Sequence, residues 1–598
     1  MEEVDCVVIG AGWAGIAAAK TFHQLNPSKS LVILDSNASV GGTWASERLY
    51  PGLKTNNQLG TYEFPDFPMR TEVFGVKPRE HIPGRVVHEY LKKVTENFNI
   101  ADKIRYSMRV ISAEHKDAGG WVVTAVKVGN GLLGIEKKYS ANKLVVASGL
   151  TSEPFLPRFD GEESFGKPIF HGKDFPKHAD TIDTAKRVTV FGGTKTGWDA
   201  VYAYATKGVH VDWVIRASGH GPSWMSPPFV TPLKKWLEKL VMTRILTWFS
   251  PCSWGDADGY KHIRSFLHGT AIGRFITNTF WSILGNDVIT LNNYRSHPEI
   301  AKVQPWSHPM FVASSFSILN YDTDFFDLLR NGTVQVHIAD ITGLAPGTVK
   351  LSDGSEIETD AMCCVTGWKW TAPLKFLPEG IEAELGVPHP PLPSDPTDLV
   401  EKADREIVAR WPRLKSPPIQ NRNYVPLTEQ KGITILSEED RKDDPHASSR
   451  LTPWSLYRFV IPSSPSLVRH RDVAFSGMMM NFNIPLNAHM QSLWINAYFL
   501  GRGLTLPNYE DDEERNRMRY ETILHSRFGK WRYPAGHGSQ FPDFVFDAQP
   551  YIDLLAGDLG VQVHRKGGAL KEVWEPYGPQ DYVDVVHEWK QKHQIDEE

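Results

Sequence analysis

The sequence predicts an α/β fold made of two dinucleotide-binding, Rossmann-like domains, the first discontinuous and the second interrupted by a helical insertion. Three observations predict it. Two short apolar runs, residues 4–9 and 188–191, each lead into a glycine-rich turn and then a helical stretch. Each is followed, about twenty residues past the turn, by a second apolar run that ends on a charged side chain. The chain has 598 residues, more than one hydrophobic core organises.

Composition removes several function classes. A formal net charge of −5 speaks against nucleic acid as a main partner, which would need a clustered basic face. The cysteines are Cys6, Cys252, Cys363 and Cys364. That is too few for a disulfide framework and suits a reducing compartment. No run reaches the roughly eighteen apolar residues that span a bilayer, and the first residues enter a strand with no signal-peptide pattern. A cytoplasmic enzyme acting on a small molecule is expected. Residues 193–197 carry Lys195 where a nucleophile elbow has serine, so a hydrolase triad is not indicated. No histidine, cysteine and carboxylate cluster has metal-ligand spacing, and no metal is expected.

The first turn is regular. Gly10, Gly12 and Gly15 stand in GxGxxG spacing between a buried strand and a helix. One glycine makes the tight turn, the second lets backbone approach a pyrophosphate, and the third lets helix pack on strand, with the helix N-terminus facing the anion. The strand at 31–34 ends in Asp35, where a carboxylate can accept the ribose hydroxyls of an adenosine.

The second turn departs from this pattern. Gly192 and Gly197 hold the outer positions, while Thr194 stands where the middle glycine belongs, with Gly193 one residue early. Lys195 and Thr196 complete the turn. The strand at 211–215 ends in Arg216, with Ser218 and His220 nearby. A basic residue at this place suits the 2′-phosphate of NADPH and disfavours NADH.

Further residues carry a resemblance. Asp35 is followed by Gly41-Gly42-Thr43-Trp44, then Tyr50-Pro51-Gly52 and Lys54-Thr55-Asn56-Asn57. Phe165, His171 and Phe175 lie in the linker before the second turn, and LVVASG and MCCVTG occur at 144–149 and 362–367. The chain resembles the class B flavoprotein monooxygenases, the flavin-containing and Baeyer–Villiger-like group, over roughly residues 1–220 and 300–500. Its insertion and long tail resemble fungal members that act in secondary metabolism.

The resemblance implies FAD at the first turn and NADPH at the second, with a substrate oxygenated by O2 through a C4a-(hydro)peroxyflavin. It implies that Gly42, Thr43 and Trp44 form a second FAD loop and that Asn56 lies beside the flavin ring as a catalytic group. His171 is expected to position the NADPH domain. The helix after 474–480 carries Asn487, Gln491 and Trp494, and Gln491 is expected at the flavin. The glycine of the linker fingerprint is shifted to Gly166, and its final aromatic is Phe175 where Baeyer–Villiger enzymes usually have tryptophan. The arginine-containing stretch that those enzymes carry after YPG is replaced by Leu53-Lys54-Thr55-Asn56. N- or S-oxygenation or hydroxylation is therefore favoured; Baeyer–Villiger oxygenation, or NADPH-dependent flavin reduction without oxygen transfer, is the alternative.

The expected layout is FAD domain at 1–160 and 346–500, NADPH domain at 161–220 and 301–345, insertion at 221–300, and a wrapping extension at 501–598. In the insertion, Leu233, Trp236, Leu237, Leu240, Val241 and Leu246 recur at helical spacing with lysines and Arg244 between them. This reads as a lid or substrate-channel helix, with a membrane-surface helix as the less favoured reading. Adjacent Cys363 and Cys364 read as strand core, Met478–Met480 as core filler, and 388–396 and 437–445 as exposed loops.

Overall fold

The computed structural model describes residues 1–129, 134–231, 233–418, 420–434 and 451–595. The expected exposed loop at 437–445 lies outside these residues. In the other loop, residues 390–394 are exposed but Pro388 is buried.

An eight-stranded sheet forms the first domain. At its centre the strand Glu2–Ile9 runs parallel to Leu31–Leu34 on one side and to Glu136–Val146 on the other. Buried on both faces, these strands have the near-continuous apolar runs that a covered parallel sheet needs. Val473–Phe475 also pairs with Glu136–Val146, so the chain returns to this sheet after a long excursion. The helix Trp13–Leu25 packs beside Ile484–Leu500, which is buried nearly all round. Thr21 Oγ1 and Ser492 Oγ meet between them at 2.8 Å.

The second domain is a five-stranded parallel sheet in the order Ile169–His171, Ala361–Cys364, Arg187–Phe191, His210–Ile215, Val334–Ile338. Cys363 and Cys364 are buried strand residues, as their sequence surroundings suggested. The second domain reaches further along the chain than the boundary at 345. Ala361–Cys364 fills the gap between two strands of the second sheet, and the antiparallel strands Ile341–Ala345, Thr348–Leu351 and Glu356–Glu358 form a separate sheet packed on one of its faces, against Phe191, Val214, Met362 and Cys364. Gly354 makes the turn before Glu356–Glu358 with φ of 86°.

The insertion corrects a second expectation. Residues 233–246 are not one amphipathic helix. Lys235–Trp236 is a short strand paired with Phe229–Val230, followed by two five-residue helices, Leu237–Val241 and Arg244–Trp248. Thr231 and Lys234 take left-handed backbone, which turns a hairpin and forbids a helix there. Thr243 is extended (φ −83°, ψ 141°) and separates the two helices. The long helix of the insertion is Ala271–Leu291. No described helix is long and apolar enough to cross a membrane.

The insertion and the C-terminal extension are locked together through Arg244, which has no exposed surface. Its guanidinium donates to Asp553 Oδ2 at 2.6 Å and to Glu572 Oε2 at 3.1 Å. Removing one partner from a buried pair of this kind typically costs about 3–5 kcal/mol. Leu237, Val241 and Leu246 join the core shared by the first domain and the extension, so this part of the insertion packs onto the enzyme.

Candidate active site

A cleft opens where the strands of the first sheet end, and it runs toward the second domain. Of the residues singled out in the sequence, Gly10, Gly12, Asp35, Gly42, Thr43, Trp44, Asn56, Lys195, Thr196 and Gln491 line it. Gly15, Gly192, Thr194, Gly197 and Arg216 do not.

The glycines divide by cause. A β-carbon on Gly15 would stand 1.8 Å from the Gly10 carbonyl oxygen, and one on Gly197 would stand 2.3 Å from that of Gly192. Both are demanded by helix-on-strand packing. A β-carbon on Gly12 would meet only ordinary contacts, the nearest 3.6 Å away at Gly42 Cα. The protein itself would tolerate a methyl group there. Bareness at Gly12, with Gly42 facing it, answers to something else approaching the backbone at the start of Trp13–Leu25, as a pyrophosphate does. Asp35 is buried at the end of its strand, and its oxygens accept from the Ala11 N–H at 2.6 Å and the Asn37 N–H at 2.7 Å. Burial raises its pKa.

Deeper in the cleft runs the strand Lys54–Gln58. Thr55 holds it from inside: its hydroxyl donates to Asn57 O at 2.5 Å and accepts from the Ile82 N–H at 3.0 Å. The neighbouring Asn56 Oδ1 is buried and has no hydrogen-bond partner. Ser148 Oγ and Asn487 Oδ1, which also line the cleft, are in the same condition. Trp13 Nε1 is a fourth, and such orphaned polar atoms in one cleft fit a ligand that carries donors and acceptors of its own, such as a flavin ring. Gln491 differs. Its Oε1 accepts from the Gly477 N–H at 3.0 Å and its Nε2 donates to Tyr551 at 2.8 Å, so its amide is committed to the chain. Of the neighbouring methionines, Met478 is core, while Met479 and Met480 also line the cleft.

Where the two domains meet, Asp199 is a hub that the sequence reading did not identify. It takes an ion pair from Lys195 and hydrogen bonds from Tyr50 at 2.8 Å and Tyr321 at 3.0 Å. Lys195 also donates to Asn320 at 3.0 Å, and Asn320 donates onward to Thr55 O at 3.1 Å. The second glycine turn is thus wired to the strand that carries Asn56. His171 is buried, its Nδ1 accepts from the Lys173 N–H at 3.0 Å, and burial lowers its pKa to about 4. It is a neutral packing residue, seated edge-on to Trp368. Phe175 stacks between Tyr50 and Phe170, tying the linker to both domains. Arg48, also unanticipated, lines the cleft with Nη2 on Thr151 O at 3.1 Å.

Arg216 sits at the end of its strand, as expected, but it is engaged. Its Nε donates to Gln430 at 2.7 Å and its Nη2 to Ser218 at 2.9 Å and Val425 O at 2.6 Å. Residues 421–430 form a strap over this corner. Asn421 donates to Ala217 O and Gly219 O, and Tyr424 stacks on His220 with ring centroids 4.3 Å apart.

Comparison with known proteins agrees with this layout. Residues 7–247 match the pyridine nucleotide-disulphide oxidoreductase family model. The chain is 31% identical to an FAD-dependent monooxygenase of Aspergillus sclerotiorum, over 98% of both chains. It is 30% identical to one of Aspergillus nomiae, again over 98% of each. The chain belongs to the FAD-dependent monooxygenases. Solved structures of similar fold include cyclohexanone monooxygenase in its closed form, with a TM-score of 0.56 at 16% identity over 93% of this chain and 97% of that one. The S-allyl-L-cysteine S-oxygenase of Allium sativum has a TM-score of 0.51 at 16% identity, over 100% and 95%. These likenesses concern fold. They span both ketone- and sulfur-oxidising enzymes, so the fold does not choose between the two chemistries.

Proposed function

We propose that this monooxygenase binds FAD along the first cleft, takes its reducing equivalents from NADPH at the second glycine turn, and oxygenates a small organic molecule at a nitrogen, sulfur or electron-rich carbon. The observation that carries the reading is the unpartnered Asn56 Oδ1, in a cleft that Ser148 Oγ and Asn487 Oδ1, also unpartnered, line as well. Gly12 and Gly42 would admit the pyrophosphate, and Asp35 would accept the ribose. Bound FAD supplies hydride acceptance and O2 activation, which no side chain can. The chain supplies orientation and exclusion of water. The Asn56 amide would place a preorganised dipole at the reacting edge, where it stabilises developing charge with no reorganisation. Lys195, held by Asp199, would offer positive charge near the nicotinamide half of NADPH. A secondary metabolite such as a polyketide is the proposed substrate class, resting on the full-length similarity to fungal relatives.

A second reading, oxygen insertion next to a ketone, is favoured by one feature: the Arg48 guanidinium in the cleft. Against it, that guanidinium is held by Thr151 O and by the Trp368 ring 5.4 Å away. Turnover under 18O2 with amines, sulfides and ketones separates the readings by mass spectrometry. Label in an N- or S-oxide or an alcohol supports the first, and label in an ester or lactone the second. NADPH oxidation with no labelled product from any class would leave a flavin reductase.

A further inference from the structure

The chemistry above leaves one large cavity unused. It measures about 780 Å3, within the range of small-molecule sites. Three segments remote in sequence build it: Leu59 and Met69 of the first domain, Trp236 and Leu240 of the insertion, and Trp574 of the C-terminal extension. These walls are apolar. Leu59 and Met69 are buried at the inner end, while Trp574 is 63% exposed at the outer one.

Charge at this cavity is unbalanced, with four basic side chains against two acidic ones. Arg70, Arg79, Lys235 and Lys239 all line it, and Arg70, Arg79 and Lys235 are exposed. None of the four forms an ion pair among the described residues, although surface cations elsewhere in the chain commonly do. Lys239 lies instead over the Trp236 ring, 4.8 Å from its centroid, and Arg79 lies 5.9 Å from that of Phe229. The lining carboxylates are Glu63 and Glu72. Glu63 Oε2 already accepts from the Met69 N–H at 2.6 Å, and burial raises the pKa of this carboxyl group, so it offers these cations little. Glu72 is exposed and forms no ion pair with any of the four among the described residues, so an apolar body meets a rim on which positive charge exceeds negative. No glycine-rich turn borders the cavity, so it is not a third nucleotide site.

We propose that this cavity is a binding site for a lipophilic carboxylic acid, its hydrocarbon body among Leu59, Met69, Leu240 and Trp574 and its carboxylate between Arg79 and Lys235. Neutral lipophiles lack the second half of this recognition, and cationic ones are repelled by it. The site is distinct from the flavin cleft, which none of these residues lines. Binding here does not depend on which atom the flavin cleft oxygenates.

The test uses the full-length, FAD-loaded protein and dodecanoate below its micellar concentration, with calorimetry and tryptophan fluorescence as readouts. Saturable binding is expected, with dodecyltrimethylammonium binding at least tenfold more weakly. The double charge reversal Arg79→Glu, Lys235→Glu should weaken dodecanoate about tenfold and bring the cationic amphiphile in, and Trp574→Ala should weaken dodecanoate in the wild-type background. The exposed positions of Arg79, Lys235 and Trp574 allow these variants to fold, which unchanged FAD content and melting temperature will verify. Absence of saturable binding, or dodecanoate affinity indifferent to the charge reversal, would overturn the proposal.

Discussion

The two glycine-rich turns share a spacing and differ in what surrounds them. At the first, Gly12 faces Gly42 with room between, and the polar atoms beyond, on Asn56, Ser148 and Asn487, are unclaimed. At the second, Thr194 takes the middle position, Lys195 is claimed by Asp199 and Asn320, and Arg216 is claimed by Gln430, Ser218 and Val425. The first site is prepared for a ligand that stays. The second is held together by its own side chains, which suits a ligand that comes and goes, because each departure leaves those groups satisfied.

Breaking the first site gives the largest expected effect. Gly12→Val should yield a folded protein with less than about a tenth of the normal FAD, because a β-carbon there meets only ordinary contacts while the added bulk intrudes where the pyrophosphate would approach. Gly15→Val should not fold, since its β-carbon meets the Gly10 carbonyl. Visible absorbance against far-ultraviolet circular dichroism reads both; a yellow Gly12→Val protein would remove the FAD assignment from this turn.

Asn56→Ala probes the wall beyond that turn. Flavin reduction by NADPH should stay within about twofold, while oxygenated product per NADPH falls by roughly ten- to a hundredfold and hydrogen peroxide rises to match. A variant that loses FAD but remains coupled would make Asn56 a structural residue.

Arg216→Ala tests the second site. A charge-assisted hydrogen bond contributes about 1.5–3 kcal/mol, but the strap bonds must first be surrendered, so the KM for NADPH should rise only about tenfold. The KM for NADH should hardly change. Equal changes for both coenzymes would place Arg216 in the strap alone.

The smallest effect concerns Glu238, which joins the insertion to the strand of Asn56. Its Oε2 accepts from the Gln58 N–H at 2.9 Å and from Trp236 Nε1 at 2.8 Å, and burial raises its pKa to about 8. The folded protein therefore holds this proton more tightly than the unfolded chain. The resulting stabilisation is complete below the ordinary glutamate pKa and is lost as pH rises toward 8. Glu238→Gln should flatten this part of the decline, by a degree or two in Tm between pH 5 and 8.5. Parallel Tm–pH curves for the two proteins would show that the carboxyl group does not titrate in this window.

Much of the first site was legible because its parts are local. A buried strand, three glycines, a helix and Asp35 fall within one short stretch, and each has a fixed backbone reason. Asn56 was reached through a motif, not through its missing hydrogen bond. The second site was less legible because its contacts are distant. Nothing near Arg216 in the sequence announces Gln430, and nothing near Lys195 announces Asn320. The helical period at 233–246 misled for a related reason. Apolar spacing describes which side chains are buried, and Leu237, Val241 and Leu246 are. It does not reveal that Thr231 and Lys234 turn the backbone left-handed. The domain boundary at 345 failed because Ala361–Cys364 reaches the second sheet only after three antiparallel strands that no period connects to it.

The buried Arg244 cluster also constrains the order in which this chain can be made. The guanidinium emerges from the ribosome some three hundred residues before Asp553 and Glu572, the carboxylates that neutralise it. Until they arrive, Arg244 has within the insertion only Asp258, at 3.7 Å and already held by Arg264, so the segment 237–248 would settle into the interior with two cations on one carboxylate. Both nucleotide-binding sheets have all their strands in hand by Phe475 and need not wait. The segment 237–248 therefore depends on the C-terminal extension for its full burial, although it lies in the middle of the sequence.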